Sequence, residues 1–159
     1  MKTLEFKISK GKIILQAKDE TYLSARSALA VEVSNQDARY EMQADERATH
    51  ERKLLQSVSN AVYGLKSELN EYLVSGDVDE ELDDISFTIN IYDAFRDERL
   101  NSVAELFSNY VSKRVISEWW TANYPSYSAH YEKLTLQALI ELKRAFYYKG
   151  EAELKKFGS

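Results

Sequence analysis

The chain has 159 residues, of which 44% are hydrophobic, 30% charged and 12% aromatic, with one proline, five glycines and no cysteine. That composition suits a single domain with its own hydrophobic core. It excludes a collagen-like, disulfide-stapled or zinc-thiolate protein and a chain disordered throughout. The net charge of −5 conceals an uneven distribution: six basic against three acidic groups in residues 1–30, seven against eighteen in 31–109, and eight against five in 110–159.

These blocks of opposite sign either fold onto one another within the chain or match neighbouring subunits. No Lys/Arg stripe of the kind that tracks a phosphate backbone stands out, so sequence-specific nucleic-acid binding is not expected. Met1 to Ser9 alternates lysine with apolar residues and lacks a signal-peptide core. No run approaches the roughly 18 apolar residues of a membrane span, so no membrane partner is expected and assembly belongs in a cytoplasm.

In chain order, Leu4, Phe6 and Ile8 alternate with Glu5, Lys7 and Ser9, the period of a half-buried strand. With Lys10-Gly11 as a tight turn, Ile13 and Leu15 resume the alternation, predicting a strand-forming N-terminal arm over about residues 1–17, paired as a hairpin. The alternative is an extended arm that pairs elsewhere. Residues 18–36 are rich in small side chains without clear period. A helical body is expected over about 37–149, opening with one long helix, or two nearly collinear ones, from about Asp37 to Val74, with Ser34 and Asp37 at capping-box spacing. Its stripe is Glu51, Leu55, Val58, Val62, Leu65, Leu69 and Tyr72. Gly64 marks a candidate point of close helix packing, and Ser75-Gly76 the helix end.

Six acids in the eight residues Asp77–Asp84 then lead into Ile85, Phe87, Ile89 and Ile91, which alternate with Ser86, Thr88 and Asn90. This is the clearest strand in the chain, and its partner is expected to be the N-terminal hairpin, leaving an open sheet edge. Asp93 or Asp97 is placed to cap a helix from about Arg99 to Trp120, with Leu100, Val103, Phe107, Tyr110, Val111, Val115 and Trp119 inward. After a break at Asn123-Tyr124-Pro125-Ser126, a last helix is expected from about Ser128 to Lys149. Its inward face is Tyr131, Leu134, Ala138, Leu142 and Ala145, widened by Leu139, Ile140 and Phe146. Gly150 is a stop, and 150–159 reads as a mobile tail.

Catalytic chemistry finds little purchase. The acidic run lacks the central glycine of a calcium loop. Glu68 and Glu71 followed by Glu80 and Asp83 match in type the four carboxylates of a magnesium-dependent, all-helical nucleotide pyrophosphohydrolase. Here the second pair runs straight into a strand and leaves no room for the second helix. His50 and His130 are far apart, no H-E-x-x-H or Gly-x-Ser-x-Gly pattern is present, and no glycine-rich phosphate loop exists. No catalytic, metal-binding or cofactor-binding residue is therefore assigned.

Aromatic residues are more telling. Trp119, Trp120, Tyr124, Tyr127, Tyr131, Phe146, Tyr147 and Tyr148 lie within thirty residues of sequence. Adjacent tryptophans on a helix project about 100° apart, so Trp119 is assigned inward and Trp120 towards a surface or another chain. A core cap at the helix–helix corner is the competing account of this cluster. Trp120, Tyr124, Tyr127, Phe87, Ile89, Ile13 and Leu15 form the candidate interaction set, drawn from the aromatic corner and the exposed sheet edge.

The order of elements, with Ala38-Arg39-Tyr40-Glu41, Ile85-Ser86-Phe87-Thr88-Ile89-Asn90-Ile91, Val115-Ile116-Ser117-Glu118-Trp119-Trp120 and the Tyr131 to Lys149 helix, resembles a group of proteins. These are the small virion structural proteins of head–tail connector or tail-completion type from tailed phages and prophages of Bacteroidetes. The resemblance is one of layout. It implies a non-enzymatic adaptor in a homo-oligomeric ring, contacting other virion proteins such as portal or tail subunits. The expectation is thus an α+β, helix-dominated single domain, a long helix and a C-terminal helical hairpin on a small antiparallel sheet. It would be assembled in the host cytoplasm and located in the virion. The alternatives are the magnesium-dependent hydrolase and a small regulatory protein-binding domain.

Overall fold

The computed structural model describes residues 1–29 and 48–147. β1 (Lys2–Ser9) runs directly into α1 (Lys10–Leu29). α2 (Ala48–Leu69) leads through a 3-10 turn, Asn70–Tyr72, into β2 (Leu73–Val78) and β3 (Asp84–Ile91). A second 3-10 turn, Asp97–Arg99, precedes α3 (Leu100–Asn123), and a third, Pro125–Tyr127, joins it to α4 (Ser128–Tyr147). The fold is α+β and helix-dominated, as the patterning predicts. The helix start at Asp37, the capping box at Ser34, the Ala38–Glu41 motif and the tail at 150–159 lie outside the described residues.

The sheet is antiparallel in the order β1-β3-β2. β3 is its centre and β1 its expected partner, with Leu4 opposite Ile89, Phe6 opposite Phe87 and Ile8 opposite Ile85. Period-2 alternation sends Ile85, Phe87, Ile89 and Ile91 into the core, while Thr3, Glu5, Lys7 and Ser86 face outward. Rings from four elements close the core. Phe6 stacks on Phe87 at 5.3 Å, Phe107 of α3 meets both edge-on or tilted at 4.9 and 4.8 Å, and Phe146 of α4 lies 6.1 Å from Phe107.

Several expectations need correcting. The N-terminal arm over 1–17 is a strand only to Ser9. Lys10-Gly11 opens α1, whose buried residues Ile13, Ala17 and Thr21 follow a spacing of four. The hairpin lies instead between β2 and β3, with the acidic run as its turn. The helix expected to reach Val74 stops at Leu69, because Asn70 adopts φ 48°, a left-handed conformation that asparagine tolerates better than most residues. Gly76 therefore sits in β2 and ends no helix. Finally, Gly64 faces open space, so it marks no close packing; Gly76 does, since a Cβ there would meet the Phe87 ring at 3.0 Å and Val62 at 3.2 Å.

Asp93 and Asp97 do not cap α3, which has no side-chain cap. Asp97 pairs with Lys2 at 2.7 Å and Asp93 with the Met1 amine at 3.2 Å, fastening the start of β1. Lys18 with Glu51 and Lys143 with Glu68 likewise tie the basic ends to the acidic middle, and Lys113 with Glu20 ties α3 to α1. Much of the charge asymmetry is thus spent inside the chain.

Candidate functional site

Four of the seven residues assigned to an interaction set, Ile13, Phe87, Ile89 and Trp120, lie in this chain's own core with no surface left for a partner. Tyr124 and Tyr127 are half-buried and stacked on each other at 4.8 Å, and Leu15 is exposed. The error at Trp120 has a physical cause. A helix with one buried face cannot hide two adjacent tryptophans, but α3 is covered on two sides. Trp119 meets the His50 ring of α2 at 4.8 Å, while Trp120 packs on Tyr127 and on Tyr131 of α4 at 5.4 and 6.5 Å. The aromatic corner is the core cap, and Trp120 Nε1 is buried there without a hydrogen-bond partner among the described residues. Sheet residues Phe87 and Ile89 are hidden because they lie on the sheet face that packs against α3, where the Phe87 ring meets Phe107.

A row of exposed apolar groups lies elsewhere. On α4, Leu136, Ile140 and Tyr147 project from one face, spaced by four and seven, and each is more than half exposed. Ile140 was assigned inward by periodicity; the tight face of α4 is instead Tyr131, Thr135, Ala138, Leu142 and Phe146. The stripe leads into a groove of about 670 Å³ between the segment after β3, the first half of α3 and the last half of α4. Phe95, Val103 and Leu106 line one wall, and Ile140, Ala145 and Tyr147 the other. Several of these residues were readable as amphipathic helix, but no local signal brings Phe95 to Ile140.

The groove is rimmed by charge. Lys143 is held by Glu68 at 2.9 Å, and that hydrogen bond keeps its ammonium above the usual lysine range against the opposing cost of burial. Arg99 and Arg144 are exposed and their side chains have no hydrogen-bond or ion-pair partner among the described residues, and Glu141 is the carboxylate of the lining. With Lys143 neutralised by Glu68, two free guanidiniums outweigh one carboxylate. Such a site suits an apolar group flanked by acids.

The hinted hydrolase site does not assemble. Glu68 and Glu71 precede β2 and Glu80 and Asp83 follow it, so six strand residues, roughly 20 Å, separate the pairs. Glu68 is engaged by Lys143, and Asp83 by Ser9 and Gly11. Among the described residues no group of three or more His, Asp or Glu side chains converges as a metal site, and no helix is long and apolar enough to cross a membrane.

No family model, curated protein or solved structure matches the chain. Function rests on geometry.

Proposed function

We propose that this protein is a non-enzymatic structural subunit of a phage virion, of the head–tail connector or neck-ring type, working as a homo-oligomeric ring against portal or tail subunits. The observation that carries the reading is the exposed apolar stripe Leu136, Ile140 and Tyr147, continuous with the groove. A stripe of large apolar side chains rimmed by charge is the usual anatomy of a protein–protein contact. The sheet adds a second means of attachment. Among the described residues no further strand pairs with β1 or β2, so both edges offer backbone groups for strand addition.

The test is to purify virions from cells that produce the chain and determine its copy number and place in them by mass spectrometry and electron cryomicroscopy. A ring of many copies at the neck is expected. Absence from the particle, together with a monomer alone in native mass spectrometry, would sink the reading. Ile140→Asp should cost only about 1 kcal/mol of stability, because half of the side chain is already exposed, while preventing incorporation.

A further inference from the structure

We propose that the groove receives the acidic β2–β3 turn of a second copy of this chain, giving a head-to-tail contact. The inference deepens the ring reading and rests on it.

The turn is built to be presented. Asp79 Oδ1 accepts from the Glu81 amide at 2.9 Å, and the Asp79 carbonyl accepts from the Leu82 amide at 3.2 Å and from Lys10 Nζ. Asp83 is pinned by Ser9 Oγ at 2.6 Å and by the Gly11 amide at 2.8 Å. Between these anchors Leu82 stands 58% exposed beside Glu80 and Glu81, which have no side-chain partner among the described residues. A turn held in shape before binding loses little entropy when it docks.

Charge and shape then match. The groove offers apolar walls for Leu82 and the unpaired guanidiniums of Arg99 and Arg144 for Glu80 and Glu81. Intramolecular ion pairs use up Lys2, Lys18, Lys113 and Lys143, so these arginines and glutamates are among the charges left over. Complementarity between two patches of one chain points to another copy as the partner, and position excludes the same copy. The turn sits at the Asp84 end of β3 and the groove opens just beyond its Ile91 end, so an eight-residue strand, roughly 24 Å, lies between them. The chain cannot bring its own turn to its own groove. Two different patches at opposite ends of a subunit make a heterologous contact, which closes into a ring or continues as a filament.

The test is charge exchange in the full chain, read by sedimentation velocity up to about 1 mM, where even weak association registers. Glu80→Arg with Glu81→Arg, and separately Arg99→Glu with Arg144→Glu, should each weaken association about tenfold or more. Mixing the two variants should restore it, because every junction between unlike copies is again complementary, and restoration also shows that both variants fold. Leu82→Ser should produce the loss without altering charge. Association unaffected by all of these overturns the contact and leaves the ring reading standing. Loss without restoration on mixing overturns it, as does a wild-type chain that stays monomeric throughout. The ring reading itself is decided separately, by the chain's presence in particles.

Discussion

The Asp83 carboxylate accepts a hydrogen bond from the Gly11 amide at 2.8 Å, joining two residues 72 positions apart. Asp83 also accepts from Ser9 Oγ, and Ser9 Oγ in turn accepts from the Lys12 amide at 3.3 Å, so the first turn of α1 is capped both from within and from the β2–β3 turn. Gly11 leaves room for this contact, since a Cβ there would stand 2.9 Å from Asp83 Oδ1 and the carboxylate would have to shift.

Acid should loosen this junction. The Ser9 hydroxyl first, then the Gly11 amide and the charges of Lys10 and Lys12, hold the Asp83 carboxyl below the usual aspartate range. A lowered native pKa means that the contribution is complete above the unfolded value of about 3.9 and is lost as pH falls through the native one. Thermal unfolding followed by circular dichroism should show a Tm falling on acidification, with Asp83→Ala lower than the parent at neutral pH and less sensitive to acid.

The two buried-strand and helix glycines should respond with opposite sign. Gly64→Ala adds a methyl to open space on α2 and should stabilise by up to about 1 kcal/mol through helix propensity. Gly76→Ala drives a methyl against Phe87 and Val62 and should destabilise by about 1–3 kcal/mol. Urea denaturation of the pair checks both.

Asn70 ends α2 at φ 48°. Asn70→Val should cost about 1–2 kcal/mol, because a β-branched side chain is poorly accommodated in the left-handed region, whereas Asn70→Gly should be close to neutral. Equal effects of the two substitutions in chemical denaturation would show that backbone conformation is not what the position demands.

Trp120 should behave as core. Trp120→Ala is expected to cost about 3–5 kcal/mol, and Trp120→Phe less, since it also removes the buried, unpartnered indole N–H. Folded Trp120→Phe protein should associate like the parent; a selective loss of association would return this residue to the interface.

β3 was readable because one of its faces is buried along its whole length, which forces Ile85, Phe87, Ile89 and Ile91 into strict alternation. β2 was not. Its pattern is interrupted by a register shift between Leu73 and Ser75 and by Gly76, whose missing side chain makes room for Phe87. Gly11 misled for a related reason: a glycine that opens a turn and one that admits a distant carboxylate look alike in sequence. The groove was out of reach altogether, because Arg99 and Arg144 become neighbours only when α3 and α4 pack.

The unequal charge of the three segments is where these two levels meet. By itself the sequence determined the class of fold, the partnership of the first strand with β3, the break between α3 and α4 and the acid content of one short run, because each is written in periodicity or composition. Tertiary structure alone decided which charges neutralise one another, that Trp120 lies inside, and that Glu80 and Glu81 are left exposed at the end of β3 opposite Arg99 and Arg144. Those outcomes depend on the distances between side chains remote along the chain, which no local pattern encodes.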